Sequence, residues 1–301
     1  LLAVDDVSFS VARGKTLGIV GESGSGKTTA AMAVARLVPK MAGSIIIDGT
    51  DFGALDTEAL RRARQRVQII FQDPYSSLNP RLRAADIVRE PLIYAGATSR
   101  TEQDRIIDEL FEAVGLRPEQ KALFPHQFSG GQRQRIGIAR ALSTRPSLII
   151  CDEPVSALDV AVQAQILNLL KSLQAQFGLN LFISHDLGVV QHMCDDIAVM
   201  YMGQFMEYAN RESFFAAPRH PYSEALLDAV PTIEVGARAA GGKLVDGAIP
   251  DLTKPQTGCR FASRCPHVAA GCEDRVPLLD VWPGTTDHQL ACYRAAEFAA
   301  S

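Results

Sequence analysis

Residues 15–29 read KTLGIVGESGSGKTT. The first seven form a short apolar run closing on glycine, the pattern of a buried strand that stops at a turn. From Lys27 the chain continues KTTAAMAVARLV, which reads as a helix. Between them, Gly21, Gly24, Gly26, Lys27 and Thr28 satisfy G-x-x-x-x-G-K-[ST]. Glycines at this spacing let backbone N–H groups close around phosphate oxygens, and the following helix aims its N-terminus at the same anion. Gly21, Glu22, Ser23, Gly24, Ser25, Gly26, Lys27, Thr28 and Thr29 are therefore candidates to hold the phosphates of ATP. Lys27 would reach the β- and γ-phosphates, and the Thr28 hydroxyl would ligate Mg²⁺.

Working outward, SIIIDG (44–49), VQIIFQ (67–72), SLIICD (147–152) and LNLFISH (179–185) are further strand-like runs. Residues 86–145 carry mostly helical periodicity. Apolar strands alternating with helices predict an α/β fold whose mostly parallel sheet is covered on both faces. DIAVMYMGQFMEYA (196–209), with its central glycine, reads as a hairpin, and the Gly-, Ala- and Pro-rich stretch after Pro231 reads as a linker. The 301 residues are 47% hydrophobic and carry a formal net charge of −4. That balance argues against a general nucleic-acid binder. The densest basic run, RRARQR (61–66), is expected to be a solvated helix face. No apolar run approaches the ~20 residues of a bilayer span. The opening LLAVDDVSFS has no basic n-region of a signal peptide. It lacks an initiator Met, so the chain is expected to begin inside a longer natural sequence.

LIICDEP (148–154) places Asp152 and Glu153 at the end of an apolar strand. Asp152 suits the Mg²⁺ shell, and Glu153 is placed to orient or deprotonate a water attacking the γ-phosphate. Gln72 and His185 are each read as ending a strand, where they would frame the same nucleotide. A second glycine-rich helix start, FSGGQRQR (128–135), has no lysine. Ser129 and Gln132 fit a capping box, but that leaves Gly130 and Gly131 unexplained, since each glycine costs about 1 kcal/mol against alanine inside a helix. Glycine there would let an anion approach the bare N–H groups. Two half-sites in one chain suggest that two chains share each nucleotide.

The order phosphate loop, Gln72, FSGGQ, CDEP, SALD (156–159) and His185 resembles that of the ATP-binding-cassette (ABC) ATPases over essentially residues 1–212. The resemblance implies a P-loop NTPase with a RecA-like core, an antiparallel β subdomain, and a helical subdomain at about 75–145. It implies that Ser129, Gly130, Gly131 and Gln132 serve the ATP of a partner subunit and that Asp159 lies across the interface. Gln72 would link Mg²⁺ and the γ-phosphate to the membrane subunit. Glu153 would be the catalytic base and His185 the γ-phosphate contact. The family's adenine-stacking aromatic is expected upstream of residue 1, because Phe9 reads as strand core.

RHPYSEALLDAVP (219–231) with GCRFASRCP (258–266) resembles the C-terminal extension of oligopeptide/dipeptide importer ATPases, here 213–301. FQDPYSSLNPR and PHQFSGGQRQRIGIARAL look more like that family's F-type ATPase than its D-type. Implied partners are a second, D-type ATPase or another copy, two membrane permeases and an extracytoplasmic solute-binding protein, with no nucleic acid. The implied place is the cytoplasmic face of the membrane. Peptides are the default solute, with opines, nickel or other small solutes as alternatives. A soluble ABC ATPase of nucleic-acid repair or translation is a remote one. Cys259, Cys265, Cys272 and Cys292 are spaced C-x5-C-x6-C-x19-C. Four thiolates suit a [4Fe–4S] cluster, which the tail of some relatives resembles, or tetrahedral zinc. The absence of a CxxC pair lowers the zinc reading, and free structural thiols remain open.

Overall fold

In chain order the strands are β1 (Thr16–Val20), β2 (Ile46–Ile47), β3 (Thr50–Asp51), β4 (Val67–Ile70), β5 (Leu148–Asp152), β6 (Asn180–Ser184), β7 (Asp196–Tyr201), β8 (Gln204–Asn210), β9 (Asp280–Val281) and β10 (Gln289–Leu290). The helices are α1 (Lys27–Val34), α2 (Thr57–Ala63), α3 (Ala84–Ala95), α4 (Arg100–Ala113), α5 (Gly130–Leu142), α6 (Val160–Phe177), α7 (Leu187–Met193), α8 (Arg211–Ala216), α9 (Pro221–Asp228) and α10 (Ala295–Phe298). The computed structural model describes residues 2–96, 99–184, 187–229 and 257–298. It forms two compact units, Val11–Thr16 with Ala31–Ser184, and Leu1–Ser10 with Leu17–Ala30 and His185–Ser301.

In the first of these units, β4, β5 and β6 run parallel, with Ile69 beside Ile150 and Ile150 beside Phe182. Every residue of β5 is buried, as a continuous apolar run in a parallel sheet requires. The helical stretch anticipated over 86–145 resolves into α3, α4 and α5, and α5 buries Ile136, Ile138, Ala139 and Leu142. Asp159 caps α6 by accepting from the Val162 N–H at 3.0 Å, and Gly178 ends it at φ 63°. SIIIDG supplies only the two residues of β2. Asp48 and Gly49 both take positive φ and turn the chain straight back into β3, so the strand cannot run on. RRARQR does form an exposed helix face.

In the second unit, β1 pairs parallel with β7, and Gly18 meets Ile197. Gly18 is obligatory, since a Cβ there would sit 2.6 Å from Cys194 Sγ and 2.8 Å from Val190 Cγ1. β7 and β8 form the expected hairpin, turning through Met202 and Gly203, both at positive φ. β10 and β9 extend it antiparallel. Phe9 corrects its expectation. It belongs to no strand, and its ring packs on Phe205 at 6.0 Å. The linker after Pro231 lies outside the described residues up to Gln256.

Glu207 of β8 is fully buried and joins three pieces of this unit. Its carboxylate accepts from the backbone N–H groups of Arg219 and His220, both at 2.9 Å, and from His288 Nε2 at 2.6 Å. His220 in turn caps α9, its Nδ1 accepting from the Tyr222 N–H at 3.1 Å. Burial pushes the His220 imidazole down from 6.5 to about 4. The unfolded chain therefore binds a proton below pH 6.5 that the folded chain refuses until about pH 4. Across that window wild type should lose up to about 3 kcal/mol on acidification. His220→Asn keeps a capping oxygen without a titrating ring. Urea unfolding at pH 7.5, 6 and 4.5 should show a shallower pH dependence for His220→Asn. Parallel curves would mean that His220 does not carry the effect.

Candidate functional site

The loop after β1 takes a shape that only glycine allows at three positions. Gly21, Gly24 and Gly26 have φ of 150°, 80° and 107°. A Cβ on Gly21 would lie 2.1 Å from the Met200 carbonyl oxygen, and one on Gly26 2.5 Å from that of Ala3. α1 begins at Lys27, so its first N–H groups follow directly on the loop. The Lys27 ammonium folds back over the loop, donating to the carbonyls of Gly21 at 2.7 Å and Glu22 at 2.9 Å. Ser25 is buried, with its N–H on the Glu22 carbonyl. Ser23, Thr28 and Thr29 lie in the same loop and first helical turn. The result is a concave, cationic, glycine-lined turn at a helix start, an arrangement that binds phosphate.

Glu22 is anchored from the C-terminal part of the chain. Its N–H donates to Tyr222 Oη at 2.8 Å, and its carboxylate takes both guanidinium arms of Arg264, at 2.8 and 3.0 Å. Tyr222, Tyr201 and Phe261 form a buried aromatic cluster with centroids 4.8–5.4 Å apart. Motif spacing could not reveal these partners, which lie 200 and 242 residues away.

In the other unit, β5 ends on the buried Asp152, and Glu153 follows at φ 48°. A left-handed glutamate is strained, and such strain gathers at functional positions. Gln72 does not end a strand as anticipated. β4 stops at Ile70, and Gln72 lies in the loop beyond, where its Nε2 donates to Glu153 Oε2 at 2.6 Å. The structure thus brings together two residues 81 positions apart. The next residue, Asp73, closes a turn by accepting from the Tyr75 N–H at 2.8 Å, which holds its carboxyl below the usual range. Tyr75 is exposed, with the Arg133 guanidinium 4.1 Å over its ring. Buried Gln134, unremarked in the sequence, donates to the Pro154 carbonyl at 2.7 Å and ties α5 to the backbone beside Glu153. His185 lies outside the described residues.

Ser129 and Gln132 form the capping box, with reciprocal bonds of 3.1 and 3.3 Å. The glycines have a reason within the chain that the sequence did not suggest. A Cβ on Gly131 would lie 2.5 Å from Val162 Cγ1, and one on Gly130 3.2 Å from Leu158 Cδ2. Gly131→Ala should therefore displace the start of α5 and lower turnover by about tenfold, for overpacking by one methyl typically costs 1–3 kcal/mol. Adding Val162→Ala should restore most of it. A double variant as slow as the single one would mean that space for an approaching anion, and not packing, demands the glycine. Asp159 is accounted for locally by its cap on α6.

The four clustered cysteines are free thiols lining one small cavity of about 20 Å³ beside His220, Phe261 and His267. Burial raises Cys265 and Cys292 and pushes Cys259 up to about 11, which favours protonated thiols. A space of that size holds about one water. Among the described residues no group of three or more His, Cys, Asp or Glu is arranged to hold a metal ion. The donors converge, but as placed they do not fit an iron–sulfur cluster, and that expectation is not supported. No helix among the described residues is long and apolar enough to cross a membrane.

Two family models match the chain, "ABC transporter" over residues 4–156 and "Oligopeptide/dipeptide transporter, C-terminal region" over 206–272. A putative peptide import ATP-binding protein of Brucella ovis is 47% identical over 296 residues, covering 98% of this chain and 92% of the relative. The oligopeptide transport ATP-binding protein AppF of Bacillus subtilis is 45% identical, covering 97% and 89%. Among solved structures, the dimeric ATP-binding cassette MJ0796 bound to ADP and Pi superposes with a TM-score of 0.62 at 31% identity, covering 69% of this chain and 90% of that one. The cbiO1 subunit from Clostridium perfringens gives 0.65 at 26%, covering 71% and 84%.

Proposed function

The chain belongs to the ABC transporter ATPases, in the oligopeptide/dipeptide branch, and from that premise we propose that it is the subunit whose ATP hydrolysis drives import of di- or oligopeptides. The observation that supports the motor half is the strained Glu153 held 2.6 Å from Gln72, directly after the buried Asp152. The peptide half rests on the relatives' names and on the C-terminal family match. AppF among the relatives favours the F-type assignment.

In this reading residues 1–212 are the nucleotide-binding domain, with its helical subdomain at about 75–145, and 213–301 the importer-type extension. Gly21 to Thr29 cradle the triphosphate of ATP, and Lys27 moves from loop carbonyls to phosphate oxygens. Thr28, Gln72 and Asp152 are the residues that would hold Mg²⁺, which would screen the phosphate charge. Glu153 takes the proton of the attacking water, and His185 contacts the γ-phosphate. Ser129, Gly130, Gly131 and Gln132 close on the ATP of a second, D-type subunit, with Asp159 at that interface. The exposed Tyr75 turn, next to Gln72, meets one of two permeases at the cytoplasmic membrane face, and an extracytoplasmic binding protein delivers the solute. No step runs through the thiol cavity.

Uptake of labelled di- and oligopeptides by cells with the native gene, or with Glu153→Gln at the same locus, tests the reading. Loss of uptake in the variant supports peptide import. Unchanged uptake in cells lacking other peptide systems, with the variant expressed, would overturn it and favour a non-peptide solute.

A further inference from the structure

A carboxylate is an odd occupant of a loop that has to hold a polyphosphate. Unpaired, Glu22 would repel the phosphates across a few ångströms of partly desolvated space. Here it is paired. Arg264 engages both carboxylate oxygens in a fork, its side chain 7% exposed against 29% for Glu22. The guanidinium is itself fixed, bonded to Tyr201 Oη at 3.3 Å. The 3-10 turn Ala262–Arg264 that carries it is pinned on its other side, where Arg260 binds Asp5 and the Met202 carbonyl. Tyr222 holds the Glu22 backbone from a third direction. Arg264 and Tyr222 both lie in the C-terminal region, outside the motifs that bind nucleotide.

We propose that Arg264 and Tyr222 are positioning residues of the phosphate loop, through which the C-terminal extension neutralises and fixes Glu22 and so sets the affinity for the nucleoside triphosphate. The inference rests on the reading of residues 21–29 as the nucleotide loop. It makes the extension part of the nucleotide site's architecture. Whatever shifts the 259–265 turn also shifts the charge beside the phosphates. The contact acts on binding, because its atoms hold the loop that cradles the phosphates.

The test is the ATP dependence of hydrolysis by the full-length chain in its transporter complex. Arg264→Ala should raise KM for ATP about tenfold with kcat within about twofold of wild type, the size of a lost charge-assisted fork. Arg264→Lys, which keeps charge without the fork, should lie between. Tyr222→Phe should raise KM a few-fold. Glu22→Gln in the Arg264→Ala background should recover most of the loss, because no uncompensated carboxylate remains, whereas a merely mechanical brace would not be rescued this way. The inference falls if KM in Arg264→Ala stays within twofold of wild type, or if Glu22→Gln fails to rescue it. If Arg264→Ala does not fold, Arg264→Lys and Tyr222→Phe decide, and unchanged KM in both overturns it. Lys27→Ala separates the two readings. If wild type binds no ATP, the nucleotide loop itself is misread. If wild type binds and Lys27→Ala does not, a silent Arg264→Ala removes only the positioning role.

Discussion

Glu153→Gln lowers ATP turnover by about 10²–10⁴-fold, the range general-base catalysis supplies, while ATP binding stays close to wild type. The geometry gives this expectation its sharpness. Gln72 Nε2 donates to the Glu153 carboxylate, and a glutamine carbonyl oxygen accepts the same bond, so the local arrangement survives the exchange. The φ of 48° is equally tolerable or intolerable for either side chain, so no new backbone strain enters. What is lost is the basicity and the negative charge of the carboxylate. Phosphate release under saturating ATP, beside equilibrium binding of a fluorescent ATP analogue, separates the two effects. Turnover within about tenfold of wild type would take the base role from Glu153. Loss of binding together with turnover would mean that Glu153 belongs to the binding shell.

Much of this was legible because the chemistry constrains local sequence. Gly21, Gly24 and Gly26 mark a tight loop in the sequence, and all three take positive φ, with close backbone approach at Gly21 and Gly26. The strands are equally legible where they are continuous apolar runs buried on both faces, as β5 is. Reading fails where the cause is distant. Gly131 reads as an opening for an anion, and folding adds a second demand for glycine there, because Val162, thirty-one positions on, occupies the space its Cβ would take. Gln134 drew no reading from the sequence, and its purpose appears only when α5 packs beside Pro154. Glu22 is named among the phosphate-loop residues, but its partner Arg264 appears only when folding brings it across 242 residues. The cysteine spacing suggested a [4Fe–4S] cluster, yet the four thiols line one small cavity without an arrangement that holds a metal ion, because spacing carries no information about how tightly four thiols gather.

Glu207→Ala should destabilise the protein by about 4 kcal/mol, because it strands three donors at once, two of them buried. The N–H groups of Arg219 and His220 lose their acceptor, and His288, 1% exposed, loses the partner of its Nε2–H. Glu207→Gln is the finer probe. It keeps the volume and one acceptor, but its amide N–H₂ must face a donor, so about 2 kcal/mol should be lost. Urea unfolding of both variants at neutral pH measures this, and a loss below about 1 kcal/mol for Glu207→Ala would show that the carboxylate is not what joins these segments. The consequence reaches the nucleotide loop. The His220 N–H that Glu207 holds belongs to the cap of α9, two residues before the Tyr222 that fixes Glu22. Glu207→Gln, still folded, should therefore raise KM for ATP in the same direction as Tyr222→Phe. Buried carboxylate, helix cap and phosphate loop form one chain of bonds, and a break at its far end should be felt where the phosphates bind.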